Sequence, residues 1–407
     1  MVEQNSSKIK QKIRQVINSI SSNLSVPNYK FILEMVSGSL SSGSLNMMEI
    51  SRSLKESIDV KHTHKRLQRH VSSGSIYLNL SNEYMIRHPA ESIEAESFIY
   101  LDGGDLTYMQ ARSYEHMSSV RDGSSGTIKP GYPLNMIVCR NGLNRVFPVY
   151  LDIFHRHVGY TSDNTETYKA IDWFMLHHGI NGIWTMDRGY DSYSIMDYIL
   201  QRQGRFNIRL VGNRHLRYGQ RSVKAEEIAH GLDRCYRLGD GLYGYEQCYL
   251  RDYPVTLIYY KDKRADMILL NSGHISGADI IKQRIQGYFK RWGVEEGYKF
   301  IKQSFGLEKS QVSRFNGIRC LLGVSMLSWQ VLVKVSMDEE LEYIVKKESK
   351  MCMRKKVVFD YYRIIRGIMA ILSRCTEMYR YRKRKLKQRI LTIEDFLPKQ
   401  GRFDLCH

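Results

Sequence analysis

Cysteines are few in this sequence, and their spacing matches no common framework. The seven cysteines among 407 residues are scattered, and no two of them stand in a Cys-x2-Cys pair. Small disulfide-stabilised folds and structural zinc sites both need closely and regularly spaced cysteines. The sequence therefore disfavours both classes.

Long hydrophobic segments are also lacking. The first residues are polar and contain no apolar core of a secretory leader. The most apolar stretch, residues 320–333, includes two serines, a glycine and a glutamine, so it is too short and too polar to span a bilayer. It predicts a buried core helix, and we expect no membrane contact and a reducing, cytoplasmic environment.

Acidic residues are outnumbered by basic ones. The chain has 61 Lys and Arg against 42 Asp and Glu, which gives a net charge of +19 and a pI near 9.5. Such a field attracts polyanions, and nucleic acid is the commonest one for a basic protein. Charge alone leaves open a basic protein of unrelated activity, or one that meets an anionic membrane. The hydrophobic share of 43% is typical of a globular protein.

Hydrophobic periodicity divides the chain into five predicted parts. Helical segments, a Ser/Gly-rich turn and a basic run come first, a pattern equally typical of a DNA-binding module and of any small bundle. Strand-like and helical runs then alternate, with a hairpin turn at Asn141-Gly142, which predicts a mixed sheet covered by helices. A tyrosine-rich segment predicts a β insertion outside that sheet. The predicted parts are a helical domain (1–92), the first part of an α/β core (93–213), the β-rich insertion (214–272), core helices (273–335) and a basic helical tail (336–407).

Two aspartates follow strand-like apolar runs. One run directly precedes Asp102 and another directly precedes Asp187. Ligands of open α/β sheets bind where the strands end, and carboxylates there suit Mg²⁺. Aspartate is also favoured in turns and at helix starts, so neither residue decides the question by itself. Asp105 would face the other side of a continuing strand, and we place Asp191 at the start of the next helix.

A predicted helix from about Gln283 to Lys302 carries a polar stripe. Tyr288, Arg291, Glu295 and Lys302 fall within an arc of about 60° on a helical wheel. One acid among basic and aromatic neighbours suits a carboxylate that holds a metal beside groups that bind phosphates. A solvated helix face with weak ion pairs gives the same pattern, and periodicity does not separate the two.

The spacing Tyr288-x2-Arg291-x3-Glu295-x6-Lys302 resembles the Tyr-Arg-Glu-Lys signature of the DDE transposases of bacterial insertion sequences, in the group often called the IS-four family. The order of two Asp-ended strands, a β-prone segment and a Glu helix is similar as well, and the resemblance covers about residues 90–335. It implies an α/β, ribonuclease-H-like mixed sheet flanked by helices and interrupted by a β-rich insertion. An N-terminal helical domain and a basic helical tail complete the expected fold.

The resemblance implies a catalytic triad of Asp102, Asp187 and Glu295 that binds two Mg²⁺ or Mn²⁺ ions. The implied activity is cut-and-paste transposition, with phosphodiester hydrolysis and strand transfer at terminal inverted repeats. The alternatives are a metal-dependent nuclease of the same fold that does not join DNA, and a catalytically idle, transposase-derived DNA-binding protein. Three intact carboxylates count against the second alternative.

Double-stranded DNA, as transposon ends and target, is the partner that the resemblance implies. Tyr288, Arg291 and Lys302 inherit the DNA contacts of the signature, and the implied assembly on DNA is a homodimer in which the tail contributes dimer and DNA contacts. Arg214 follows the strand after Asp187 and is a further candidate for binding phosphate, although an ordinary surface loop explains it equally well. The implied location is the nucleoid of a bacterial or archaeal cell.

Overall fold

The structure is a computed structural model. It describes residues 2–73, 76–87, 93–108, 114–123, 125–140, 144–157, 159–233, 236–263, 265–352 and 359–375. The predicted Asn141-Gly142 turn and the part of the basic tail beyond residue 375 lie outside these ranges.

Helices dominate both ends of the described chain, and strands dominate its middle. The first helices are α1 (Val2–Ser19), α2 (Val26–Ser42), α3 (Met47–Ser53), α4 (Val60–Ser72) and α5 (Ile76–Arg87). The strands are β1 (Phe98–Thr107), β2 (Ser118–Arg121), β3 (Ile128–Arg140), β4 (Val146–Ile153), β5 (Ile183–Met186), β6 (Arg205–Arg209), β7 (His215–Tyr218), β8 (Arg221–Lys224), β9 (Tyr236–Leu238), β10 (Gly241–Leu250), β11 (Tyr253–Lys261) and β12 (Asp266–Ser272). The later helices are α6 (Asp163–His178), α7 (Tyr193–Gln201), α8 (Ala225–Gly231), α9 (Ala278–Phe289), α10 (Trp292–Lys299), α11 (Phe315–Ser336), α12 (Glu339–Glu348) and α13 (Tyr361–Ser373).

The twelve strands form one mixed sheet. Its order is β2-β3-β1-β5-β6-β12-β11-β10-β7-β8, with β4 paired to β3 and β9 paired to β10. Strands β1, β5 and β6 run parallel, and β1 is antiparallel to β3. The predicted combination of a mixed sheet with helices is therefore confirmed, while the ribonuclease-H-like topology stays a prediction.

The tyrosine-rich segment is β-rich as predicted, but it belongs to the main sheet. Strand β12 pairs with β6, with Leu270 opposite Ile208, and β11 and β10 continue from β12. The prediction that this segment lies outside the main sheet is wrong. Without β12, the outer edge of β6 would leave a row of backbone amide and carbonyl groups unpaired, which is costly in a covered sheet.

Helix α11 lies at the centre of the fold. Within the described ranges it is the one helix long and apolar enough to cross a membrane by length and composition, yet 89% of its most apolar 18-residue window is buried in the protein. Its Ser328 hydroxyl lies 2.8 Å from that of Ser39 on α2. A single apolar cluster extends from Ile9 on α1 to Leu372 on α13. The predicted core helix is confirmed and is longer than predicted, whereas the division at residue 92 stays a prediction.

The Ser/Gly-rich stretch of residues 37–44 is helical as far as Ser42, although the sequence predicted a turn. The Ser37 hydroxyl donates to the Leu33 carbonyl at 2.6 Å, so a buried serine is satisfied within its own helix. A Cβ at Gly38 would lie 2.5 Å from Cγ2 of Ile50. The small residues therefore allow α2 and α3 to pack closely, and α2 ends only at Gly43, which has a φ of 65°.

Candidate active site

Two neighbouring parallel strands bring Asp102 and Asp187 together. Tyr100 on β1 lies opposite Thr185 on β5, and the two aspartates each follow two residues later on the same side. Asp187 begins a short 3₁₀ turn, and its carboxylate accepts a hydrogen bond from the Gly189 amide at 2.8 Å. The sequence thus indicated the correct strands for both aspartates.

Asp102 lies within its strand and not at the end of it. Strand β1 continues to Thr107, with Asp102 opposite Met136 on β3. Two glycines follow Asp102 in the strand, and a Cβ at Gly104 would lie 2.9 Å from the ring of Tyr298. Helix α10, which carries Tyr298, therefore packs directly on the backbone of β1 near Asp102.

The predicted continuous helix from Gln283 to Lys302 is broken. Helix α9 ends at Phe289, α10 starts at Trp292, and residues 300–304 form a π-helical turn. At the break, Nη2 of Arg140 donates to the Lys290 carbonyl at 3.1 Å. A Cβ at Gly293 would lie 2.6 Å from Cγ2 of Val146. Contacts with β3 and β4 therefore set this geometry.

These irregularities divide the predicted stripe into two groups. Arg291 reaches Oδ2 of Asp102 with Nη1 at 3.3 Å and Oε1 of Glu295 with Nη2 at 2.6 Å. Lys302 lies within the π-helical turn, which shifts the phase of the helix, and its Nζ contacts Oδ2 of Asp105 at 2.7 Å. Glu295 is therefore joined to Asp102 through Arg291, while Lys302 neutralises the second aspartate of β1.

The charges of Asp187 and Glu295 act unfavourably on the carboxylate of Asp102, which is largely buried. Burial above all, together with the charges of Asp187 and Glu295, raises the pKa of Asp102 to about 7, although Arg291 opposes the shift. Burial disfavours the charge of Arg291, but the neighbouring Asp102, Tyr288 and Glu295 raise its pKa above the usual value. The site thus holds excess negative charge around one guanidinium.

Two further tyrosines, Tyr190 and Tyr298, lie at the site and were not predicted from the sequence. The Tyr298 hydroxyl donates to the Asp102 carbonyl at 2.5 Å, and a Cβ at Gly103 would lie 3.4 Å from the Tyr190 hydroxyl. Burial and the charge of Asp102 raise the pKa of both phenols well above the usual value. Tyr298 stands three residues after Glu295, a spacing that places both on one helix face, so it was open to prediction.

The donor chemistry fits a divalent cation with oxygen ligands. Among the described residues, no three His, Cys, Asp or Glu side chains stand close enough to form a metal site in their present positions. Mg²⁺ and Mn²⁺ take carboxylate oxygens, and a cation would offset the carboxylate charges that, in addition to burial, raise the pKa of Asp102. A guanidinium now lies between Asp102 and Glu295.

Tyr288 and Arg214 face the protein interior in this structure. Tyr288 is only 7% exposed and packs among apolar residues of β10, β11, β12 and α9. Arg214 forms an ion pair with the Asp191 carboxylate and donates to the Asp191 carbonyl at 2.8 Å. Asp191 also accepts from the Val211 amide at 2.8 Å, so it anchors a loop instead of starting α7. The DNA contacts assigned to Tyr288 and Arg214 stay predictions.

A basic groove lies between α4 and residues 311–314. Its volume is about 590 Å³, and the α4 side is lined by Lys65, Gln68, Arg69 and Ser72. These positions recur at helical spacing on one face of α4, whereas Leu67 is buried. Across the described ranges, neither Lys65 nor Arg69 has an acidic partner. This basic groove is available to an anionic ligand.

Comparison with models of protein families gives a match that covers part of this site. Residues 153–330, under half of the chain, match the family model of the transposase DDE domain. The match supports a DDE transposase. The matched range contains Asp187 and Glu295 and starts after Asp102. It does not distinguish the insertion-sequence group named above, which stays a prediction.

Comparison with solved structures gives a weaker likeness. The chain is similar to a chain of the piggyBac transposase synaptic complex with hairpin DNA, a cryo-EM structure, with 13% sequence identity and a TM-score of 0.48. The likeness covers 97% of this chain and 84% of that chain. No curated protein matches.

Proposed function

We propose that the chain is a DNA transposase of an insertion sequence, which cuts at terminal inverted repeats and joins the freed ends to target DNA. One observation carries this proposal. Asp102 on β1 and Asp187, directly after the neighbouring parallel strand β5, interact electrostatically, and Arg291 joins Glu295 to Asp102. The domain match over residues 153–330 supports the same class.

Asp102, Asp187 and Glu295 would hold two Mg²⁺ or Mn²⁺ ions. When bound, the ions supply activation of a water or a 3′-hydroxyl and stabilisation of the leaving oxygen. Tyr298 orients the strand through its hydrogen bond to the Asp102 carbonyl. The partial burial of Asp102 and Arg291 limits water at the site and strengthens the charge interactions there.

Double-stranded DNA is the proposed substrate. The net charge of +19 and the basic groove beside α4 support a long anionic partner. Arg291 and Lys302 lie at the carboxylates, while Tyr288 and Arg214 would have to leave their present partners to contact DNA. Bringing two DNA ends together requires two active sites, so a homodimer on DNA is part of the proposal.

Cleavage of a labelled duplex that carries the terminal repeat flanking the gene tests the proposal. With Mg²⁺ and a target plasmid, the parent protein is expected to yield cut ends and joined products. Glu295→Gln is expected to lower the rate by more than about 100-fold, beyond the 10–100-fold typical for outer-shell residues of metal sites. Equal rates for parent and variant would remove Glu295 from the site.

The two alternatives predict different products. A nuclease of the same fold would yield cut ends without joined products. An idle DNA-binding protein would retain the duplex in a gel shift and leave it uncut. The control is Glu340→Gln, which makes the same substitution at an exposed glutamate. Glu340 pairs with Lys8 at 2.9 Å on the surface, so the rate is expected to stay at the parental value.

A further inference from the structure

Arg291 holds the oxygen atoms that a metal ion would use. Its Nη1 lies 3.3 Å from Oδ2 of Asp102, and its Nη2 lies 2.6 Å from Oε1 of Glu295. The side chain is 13% exposed, and within the described part of the chain its Nε has no hydrogen-bond partner. The guanidinium is thus held almost entirely by the two carboxylates.

We infer that Arg291 is an internal counter-ion that competes with divalent metal for Asp102 and Glu295. The inference rests on the proposed function, in which these carboxylates are metal ligands. In the DNA-free protein, the Arg291 guanidinium would pair with the two carboxylates until a metal ion displaces it.

The balance of charge at the site favours competition between Arg291 and a metal ion over the binding of both to the same carboxylates. Three carboxylates act on one another around Asp102, and Arg291 is the cation that offsets them. A metal ion bound to the same oxygens would stand within a few ångströms of the guanidinium, and two cations at that distance in a partly buried site repel strongly. Entry of the metal therefore favours release of Arg291, and a released arginine is free to bind a phosphate in the bidentate manner.

A purely structural role for Arg291 makes the opposite prediction. If the guanidinium only held α10 against β1, its removal would loosen the carboxylates and weaken metal binding. If it competes with metal, its removal frees the carboxylates and strengthens metal binding. The direction of the change in metal affinity therefore separates the two roles, without any measurement of DNA cleavage.

Mn²⁺ binding to the DNA-free, full-length protein tests the inference by isothermal titration calorimetry. Arg291→Gln is expected to lower the apparent Kd for Mn²⁺ by about fivefold or more, the lower end of typical coupling between two ligands. Arg291→Lys keeps the charge but contacts only one carboxylate at a time, so its Kd is expected to lie between the two. Arg202→Ala, which removes an arginine that pairs with Asp172 at a partly exposed surface, is the charge-matched control and is expected to bind like the parent.

The outcomes distinguish this inference from the proposed function. If Glu295→Gln weakens Mn²⁺ binding but Arg291→Gln binds no more tightly than the parent, the inference is overturned and the proposed metal site stands. If the parent shows no Mn²⁺ binding that depends on Glu295, the proposed site fails and the inference fails with it. Should circular dichroism show that Arg291→Gln is unfolded, Arg291→Lys decides, and a Kd no lower than the parental value overturns the inference.

Discussion

The carboxylate site and the basic groove differ in whether their basic residues are already paired with acidic ones. At the carboxylate site, Arg291 is paired with Asp102 and Glu295, and Lys302 is paired with Asp105. In the basic groove, Lys65 and Arg69 project from α4 toward residues 311–314, and within the described residues they have no acidic partner. In the first region the cations are already paired with carboxylates. The second offers uncompensated charge to a partner.

This difference suggests that the basic groove mainly binds DNA and the carboxylate site mainly cleaves it. Uncompensated cations contribute fully to binding a polyanion, because no internal ion pair has to break first. Paired cations contribute only after metal or DNA has rearranged the site. Affinity for DNA in the resting protein is therefore expected to depend mostly on the basic groove, and cleavage mostly on the carboxylates.

The largest expected effect comes from Asp187→Asn. The substitution keeps the size of the side chain and an acceptor for the Gly189 amide, but it removes a metal-binding charge. We expect cleavage of the terminal-repeat duplex to fall by more than about 100-fold, with the Kd for DNA unchanged in a fluorescence-anisotropy titration. A parallel loss of DNA affinity would contradict the division between the two regions.

The double substitution of Lys65 and Arg69 by Ala is expected to have the second-largest effect. Loss of two phosphate contacts should weaken DNA binding and make the plot of log affinity against log salt shallower by about 2. The cleavage rate at saturating DNA should stay near the parental value. Anisotropy titrations at several salt concentrations measure the slope, and an unchanged slope would remove the basic groove from the DNA-binding surface.

The sequence predicts those parts of the site that local pattern determines. Apolar runs located the strands before Asp102 and Asp187 and the core helix α11, because burial dictates composition over a few residues. The break near Lys290 depends on Arg140, which is 150 residues distant in the chain. The pairing of β12 with β6 is equally non-local. Contacts of this kind leave no periodic signal, so the helical wheel wrongly joined Lys302 to the group of Glu295.

The smallest expected effect concerns the packing of α10 against α11. A Cβ at Gly297 would lie 2.7 Å from Cη2 of Trp329, so Gly297→Ala should cost about 1–3 kcal/mol through overpacking, partly offset by about 1 kcal/mol of helix propensity. Gly231→Ala is the matched control, since a Cβ there meets nothing within 4 Å. Urea unfolding measures both variants, and a Gly297→Ala protein as stable as the control would show that α10 is not held by this contact.

Diffraction from crystals of the protein–DNA complex grown with Mn²⁺ tests the central claim most directly. The proposed site predicts anomalous peaks about 2.0–2.2 Å from carboxylate oxygens of Asp102, Asp187 and Glu295, a distance typical of small divalent cations. The inference about Arg291 predicts in addition that its guanidinium has left those oxygens. Peaks at other residues, with Arg291 still between Asp102 and Glu295, would contradict the claim that these three carboxylates form the metal-dependent active site.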